Sequence, residues 1–128
     1  DLTASHSVIV PANTFMATAN AARHTGAEVL FADVEENSGL MFAKHATEAL
    51  SHAAGTQPRA IVPVHFAGLP CDMSAMSPIA EKFGVTIIED AAHALGSKYP
   101  NGELVGSCKY SAMTIFSFHC SRTKALFH

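Results

Sequence analysis

Short apolar runs alternate with longer segments of helical spacing along this chain. Ser7 to Pro11 (SVIVP) is predicted as a strand, and Thr14 to His24 as a helix ending at Gly26, a C-cap signal. Glu28 to Val34 is the next strand, and Ala43 to Ala54 a helix closed by Gly55. Arg59 to Phe66 reads as a strand in which Pro63, lacking an N–H, marks an end or an irregularity. Met73 to Phe83 carries helical spacing and stops at Gly84, and Val85 to Glu89 is an apolar run without alternation, as in a strand buried on both faces. Asn101-Gly102, between two short extended pieces from Gly96 to Gly106, signals a hairpin, and Ser111 to Phe118 forms the last strand.

Strand and helix thus alternate, which predicts an α/β fold with a mostly parallel sheet and helices on both faces. Two strands end on chemistry: Ile87-Ile88 runs into Glu89-Asp90 with His93 three residues on, and Ile115-Phe116 runs into Ser117-Phe118-His119. An acid delivered at the carboxyl end of a buried strand lies where open α/β sheets bind ligands, so the two ends predict one shared pocket. Ordinary punctuation is the other reading, since Asp and Ser often open the turn after a strand.

Composition narrows the classes. With 128 residues, 48% hydrophobic and 15% charged, and a net charge of −3, the chain is neither disordered nor equipped with a nucleic-acid footprint. No apolar stretch reaches the roughly 18 residues that cross a bilayer, and no basic segment followed by an apolar one opens the chain, so a cytoplasmic protein is expected. Cys71, Cys108 and Cys120 lack CxxC spacing and read as reduced thiols. The eight histidines are dispersed with no metal-ligand spacing, so no metal site is predicted. A doubly wound hydrolase or dehydrogenase domain would show a GxGxxG, P-loop or GxSxG motif, and none occurs.

Four blocks, VPANTFMATANAARHTGAEVLFADV, IVPVHFAGLPCDM, IIEDAAHALGSKY and VGS..YSAMTIFSFH, resemble the DegT/StrS-type sugar aminotransferases, in the family's order from Val8 to His119. Within that family they are most similar to the UDP-4-amino-4,6-dideoxy-N-acetyl-β-L-altrosamine transaminases of pseudaminic acid biosynthesis. The resemblance implies the central part of the large pyridoxal 5'-phosphate (PLP) domain of the aspartate aminotransferase fold (type I), residues 1–128 being a partial domain without the upstream phosphate loop or the C-terminal small domain. It implies a cytoplasmic homodimer that moves an amino group from glutamate to a 4-keto-6-deoxy nucleotide sugar. A chain missing outer strands would expose edges and apolar faces, so low stability and aggregation are expected of it.

The resemblance also assigns residues. Asp90 matches the carboxylate that keeps the PLP ring nitrogen protonated, as the electron-sink chemistry of that ring requires. His93 matches a group beside the ring and its oxygen substituent; a core histidine bonded to backbone is the other reading. Phe15 matches the aromatic stacked on the ring, against a core aromatic at a helix start, and Ser117 matches a phosphate-contacting serine. The family carries its Schiff-base lysine five residues after that serine, where this chain has Arg122. A guanidinium stays protonated and is a poor amine nucleophile. Lys124 falls two residues later, about 6–7 Å along an extended segment, and is a poor substitute. From Cys120 to His128 the resemblance stops, as a shifted reading frame, a mispredicted terminus or a truncation would produce. The chain as written is therefore expected not to transaminate. The alternatives are a non-catalytic or regulatory member of the fold, and a lysine-free dehydratase using the aminated cofactor, whose histidine at the lysine position Arg122 does not match.

Overall fold

The computed structural model describes residues 1–119. Its elements are β1 (His6–Pro11), α1 (Met16–His24), β2 (Glu28–Ala32), α2 (Ala43–Ser51), β3 (Gln57–Ile61), α3 (Met73–Phe83), β4 (Thr86–Asp90) and β5 (Met113–Ile115), with a 3-10 turn at Phe66–Gly68. The strands form one sheet in the order β2-β1-β3-β4-β5, every pairing parallel. The α/β architecture with helices on both faces is as the alternation of runs predicts.

Strand alternation divides the interior into two layers. Ile9, Ile61 and Ile87 point to one face, where they pack with Leu50 of α2 and Met73 and Met76 of α3. Val8, Val10, Ala60 and Val62 point to the other, against Ala19 and Ala22 of α1. β1, covered on both sides, is buried from Ser7 to Pro11, which is why Val8 to Val10 is an apolar run without alternation.

The expectation that Val85 to Glu89 is buried on both faces is corrected. Val85, Ile87 and Glu89 are buried, but Thr86 is exposed and Ile88 only half-buried. Among the described residues α1 is the helix on that face, and it packs on β1 and β2 and reaches Ala60 of β3, leaving β4 and β5 open beside it.

Several boundaries shift for local reasons. α1 starts at Met16, because Phe15 is extended (φ −70°, ψ 134°) at its N-cap. β3 stops at Ile61, and pairing resumes beyond Pro63: the Asp90 N–H donates to the Pro63 carbonyl (2.9 Å) and the His65 N–H to the Asp90 carbonyl (3.0 Å). Pro63 thus lends an acceptor where it cannot donate. α2 ends at Ser51, before Gly55. Gly84 caps α3 at φ +65°, a left-handed conformation that side chains disfavour. The hairpin forms as expected, with Lys98 bridged to Leu104 and the Gly102 N–H donating to the Tyr99 carbonyl (2.9 Å). β5 is shorter than Ser111 to Phe118, since β4, its one neighbour among the described residues, ends at Asp90.

Candidate cofactor pocket

In a sheet ordered 2-1-3-4-5, the chain leaves β1 toward one edge and β3 toward the other, so their carboxyl ends part and open a crevice. The loop after β1 brings Asn13, Thr14 and Phe15 to it, the segment after β3 brings Phe66, and the end of β4 brings Asp90 and His93. Together they enclose a cavity of about 370 Å³. A second cavity of about 500 Å³ adjoins it and is lined by Thr18, Ile88, Ile115 and Ser117, with Phe15 and Asp90 common to both.

Asp90 sits where the two cavities meet. Its Oδ2 accepts the Thr18 hydroxyl (2.8 Å) and its Oδ1 the Ala92 N–H (3.1 Å). Each oxygen is steadied by one donor and keeps acceptor capacity toward the cavities. Thr18 is a contact that sequence reasoning missed.

Phe15 is 58% exposed, so it is not a core aromatic but a cavity wall. His93 lines the smaller cavity with its ring centroid 5.9 Å from that of Phe66. Ser117 lines the larger one, its Oγ accepting the His119 N–H at 3.3 Å. Asp90 and Phe15 therefore share a cavity with each of the other two, whereas His93 and Ser117 line different ones. Arg122 and Lys124 lie outside the described residues, and among those described no lysine lines either cavity.

The acid next to Asp90 goes the other way. Glu89 is fully buried on the α2/α3 side and accepts from His65 Nε2 (2.8 Å), Thr114 Oγ1 (3.2 Å) and the hydroxyls of Tyr99 and Ser111. Cys71 N–H donates to His65 Nδ1 (3.1 Å), so the ring carries its hydrogen on Nε2, facing Glu89. Burial pushes the Glu89 carboxyl up, but the hydrogen bonds from His65, Ser111 and Tyr99 outweigh it and hold the group below the usual glutamate range. Burial and the Glu89 bond raise the Tyr99 phenol well above its ordinary value. The sequence presented Glu89 as a strand-end acid like its neighbour, and only the fold separates the two.

The residues fit PLP. A flat aromatic cation asks for apolar walls and one carboxylate, and the larger cavity offers Phe15, Ile88 and Ile115 around Asp90. Thr14 Oγ1, buried on the smaller cavity, has no hydrogen-bond partner among the described residues and is available to a bound group. No group of three or more His, Cys, Asp or Glu among the described residues is arranged to hold a metal ion, and no helix there is long and apolar enough to cross a membrane.

The sequence profile of the DegT/DnrJ/EryC1/StrS aminotransferase family matches residues 1–127. The chain belongs to that family. It is similar to a DegT/DnrJ/EryC1/StrS aminotransferase from Brucella abortus at 35% identity and a TM-score of 0.81, covering 92% of this chain and 32% of that one. The Helicobacter pylori aminotransferase involved in pseudoaminic acid biosynthesis is 30% identical with a TM-score of 0.75, over 90% of this chain and 29% of its own. A Streptococcus pneumoniae protein assigned as a sugar aminotransferase, solved in its PLP form, is 30% identical with a TM-score of 0.78, over 90% and 31%. This family member thus spans about a third of the length of the proteins it matches.

Proposed function

We propose that this chain is part of the cofactor domain of a PLP-dependent aminotransferase whose parent transfers an amino group from glutamate to a 4-keto-6-deoxy nucleotide sugar and works as a homodimer. The observation that carries the reading is the Asp90 carboxylate, oriented by Thr18 and Ala92, at the junction of two cavities walled by Phe15. PLP, when bound, supplies an electron sink for a carbanion next to its imine nitrogen. Asp90 would accept a proton-bearing ring nitrogen and hold that proton in place. Phe15 would pack on the ring face, where offset stacking contributes about 0.5–1.5 kcal/mol. His93 would hydrogen-bond to the ring's oxygen substituent, Ser117 and its neighbouring backbone would hold phosphate, and Ile88 and Ile115 would exclude water. The pseudaminic acid branch is the proposed subclass, supported by the VPVHFAG.PCDM and DAAHALG.KY blocks and the likeness to the Helicobacter pylori enzyme.

The proposal reads the chain as binding PLP without turning over, because Arg122 stands where the amine is needed. The same observation favours a non-catalytic, cofactor-holding member as the second reading. Titration of the chain with PLP, followed by ring absorbance and then by borohydride, tests both. Binding that Asp90→Asn weakens by about tenfold or more, with no cofactor fixed to the chain by borohydride, is the expected result. Equal binding by wild type and Asp90→Asn would overturn the assignment of Asp90, and cofactor fixed at Lys124 would restore an amine to the pocket.

A further inference from the structure

Glu89 and Asp90 are consecutive acids on β4, and the side chains of consecutive strand residues point to opposite faces. A slip of one residue in the pairing of β4 would exchange them, burying Asp90 and turning Glu89 into the cavity. Backbone pairing alone discriminates weakly between the two registers, since both preserve the parallel ladder and Ile87 and Ile88 are alike in bulk. The discriminating element is the set of donors on Glu89. They come from four places: His65 after β3, Tyr99 in the hairpin, and Ser111 and Thr114 before and within β5.

We infer that Glu89, His65 and Tyr99 are positioning residues that fix the register of β4, so that Asp90 and not Glu89 faces the cofactor cavity. His65 binds both acids at once: its ring holds the Glu89 carboxylate, while its backbone N–H donates to the Asp90 carbonyl at 3.0 Å. The ring in turn is fixed by the Cys71 N–H, and the Cys71 thiol donates to the Val64 carbonyl (3.3 Å). Of the four hydrogen bonds on Glu89, two reach back to segments that flank β4 on the β3 and hairpin sides and two reach across to the β5 side. A displaced strand would therefore break all four together. Setting register is the best-attested specificity role of a buried polar or ionic group, whose replacement by well-packed apolar residues is often neutral for stability.

The inference rests on the cofactor reading for its purpose but not for its test. The Ala92 N–H donates to Asp90 Oδ1, so its hydrogen exchange in the full chain reports whether Asp90 is in place, whereas the Val10 amide in β1 reports the core. In Glu89→Leu/His65→Leu, exchange at Ala92 is expected to quicken by about tenfold or more while Val10 stays protected, with PLP affinity falling in parallel. Tyr99→Phe, which deletes one donor and keeps the ring, should move Ala92 a few-fold in the same direction, and it decides the matter should the double variant not fold. Wild-type exchange at Ala92 in these variants, or equal quickening at Ala92 and Val10, would overturn the inference. Loss of PLP binding in Asp90→Asn together with an unmoved Ala92 in the other variants would sink the register lock and leave the cofactor reading standing. Absence of PLP binding by wild type with the local change at Ala92 present would do the reverse.

Discussion

The two sides of β4 show what a strand end does when it is sealed and when it is left open. Behind the sheet, Glu89 is fully buried with four donors, on the side of the core that holds Ile87, Met73, Met76 and Cys71. In front, Asp90 holds two donors and faces cavities of about 370 and 500 Å³, bordered by the exposed Phe15 and Ile115. The first arrangement spends every polar contact on the fold. The second leaves acceptor capacity and apolar wall unclaimed, which is the condition for receiving a ligand. Adjacent residues of nearly identical chemistry thus end in a sealed and an open setting because, among the described residues, helices α2 and α3 cover one face and α1 covers only a portion of the other.

The contrast breaks most readily at the packed face. Met76→Ala, at a position with no exposure, should cost about 2–5 kcal/mol in urea unfolding, whereas Ile115→Ala, 52% exposed, should cost less than about 1 kcal/mol. Equal losses would mean that the open face is as much core as the other.

Acid sharpens the comparison next. The folded-state pKa of Glu89 lies below its ordinary value of 4.5, so its stabilising contribution is complete above that value and is lost as pH falls below it toward the folded value. Unfolding midpoints should therefore drop as pH falls below the ordinary glutamate value of 4.5, and the drop should shrink in Glu89→Leu/His65→Leu. An unchanged slope in that variant would assign the acid sensitivity to surface carboxylates such as Glu35, held down to about 2 by hydrogen bonds from Ser38 and Asn37.

The smallest effect is chemical. Cys71 is buried and its thiol is pushed up to about 12 by burial, while Cys108 is exposed. A thiol reagent should modify Cys108 in the native chain and reach Cys71 only on unfolding. Modification of Cys71 at the rate of Cys108 would show that the packed side of β4 opens on its own.

Much of the fold was legible because burial imposes period and length. SVIV in β1, the Met73 to Phe83 helix with Gly84 at its stop, and the Asn101-Gly102 turn each follow from local rules. The same rules failed at Val85 to Glu89, where an apolar run signals burial but not how much of each face a helix covers. In the pocket, Asp90, Phe15, His93 and Ser117 were nameable from the motif blocks. Thr18 was not, because its bond to Asp90 joins residues 72 apart in the chain. The donors of Glu89 likewise come from 10 to 25 residues away and leave no local trace.

By itself, then, the sequence determined that strands alternate with helices in a parallel sheet and that two acids end β4, since hydrophobic period and motif spacing are properties of neighbours along the chain. Tertiary structure alone decided that Asp90 opens on the crevice while Glu89 is sealed among His65, Tyr99, Ser111 and Thr114. Alternation guarantees that the two point apart, but which of them meets water is fixed by the long-range packing that covers one face of the sheet and leaves the other partly bare.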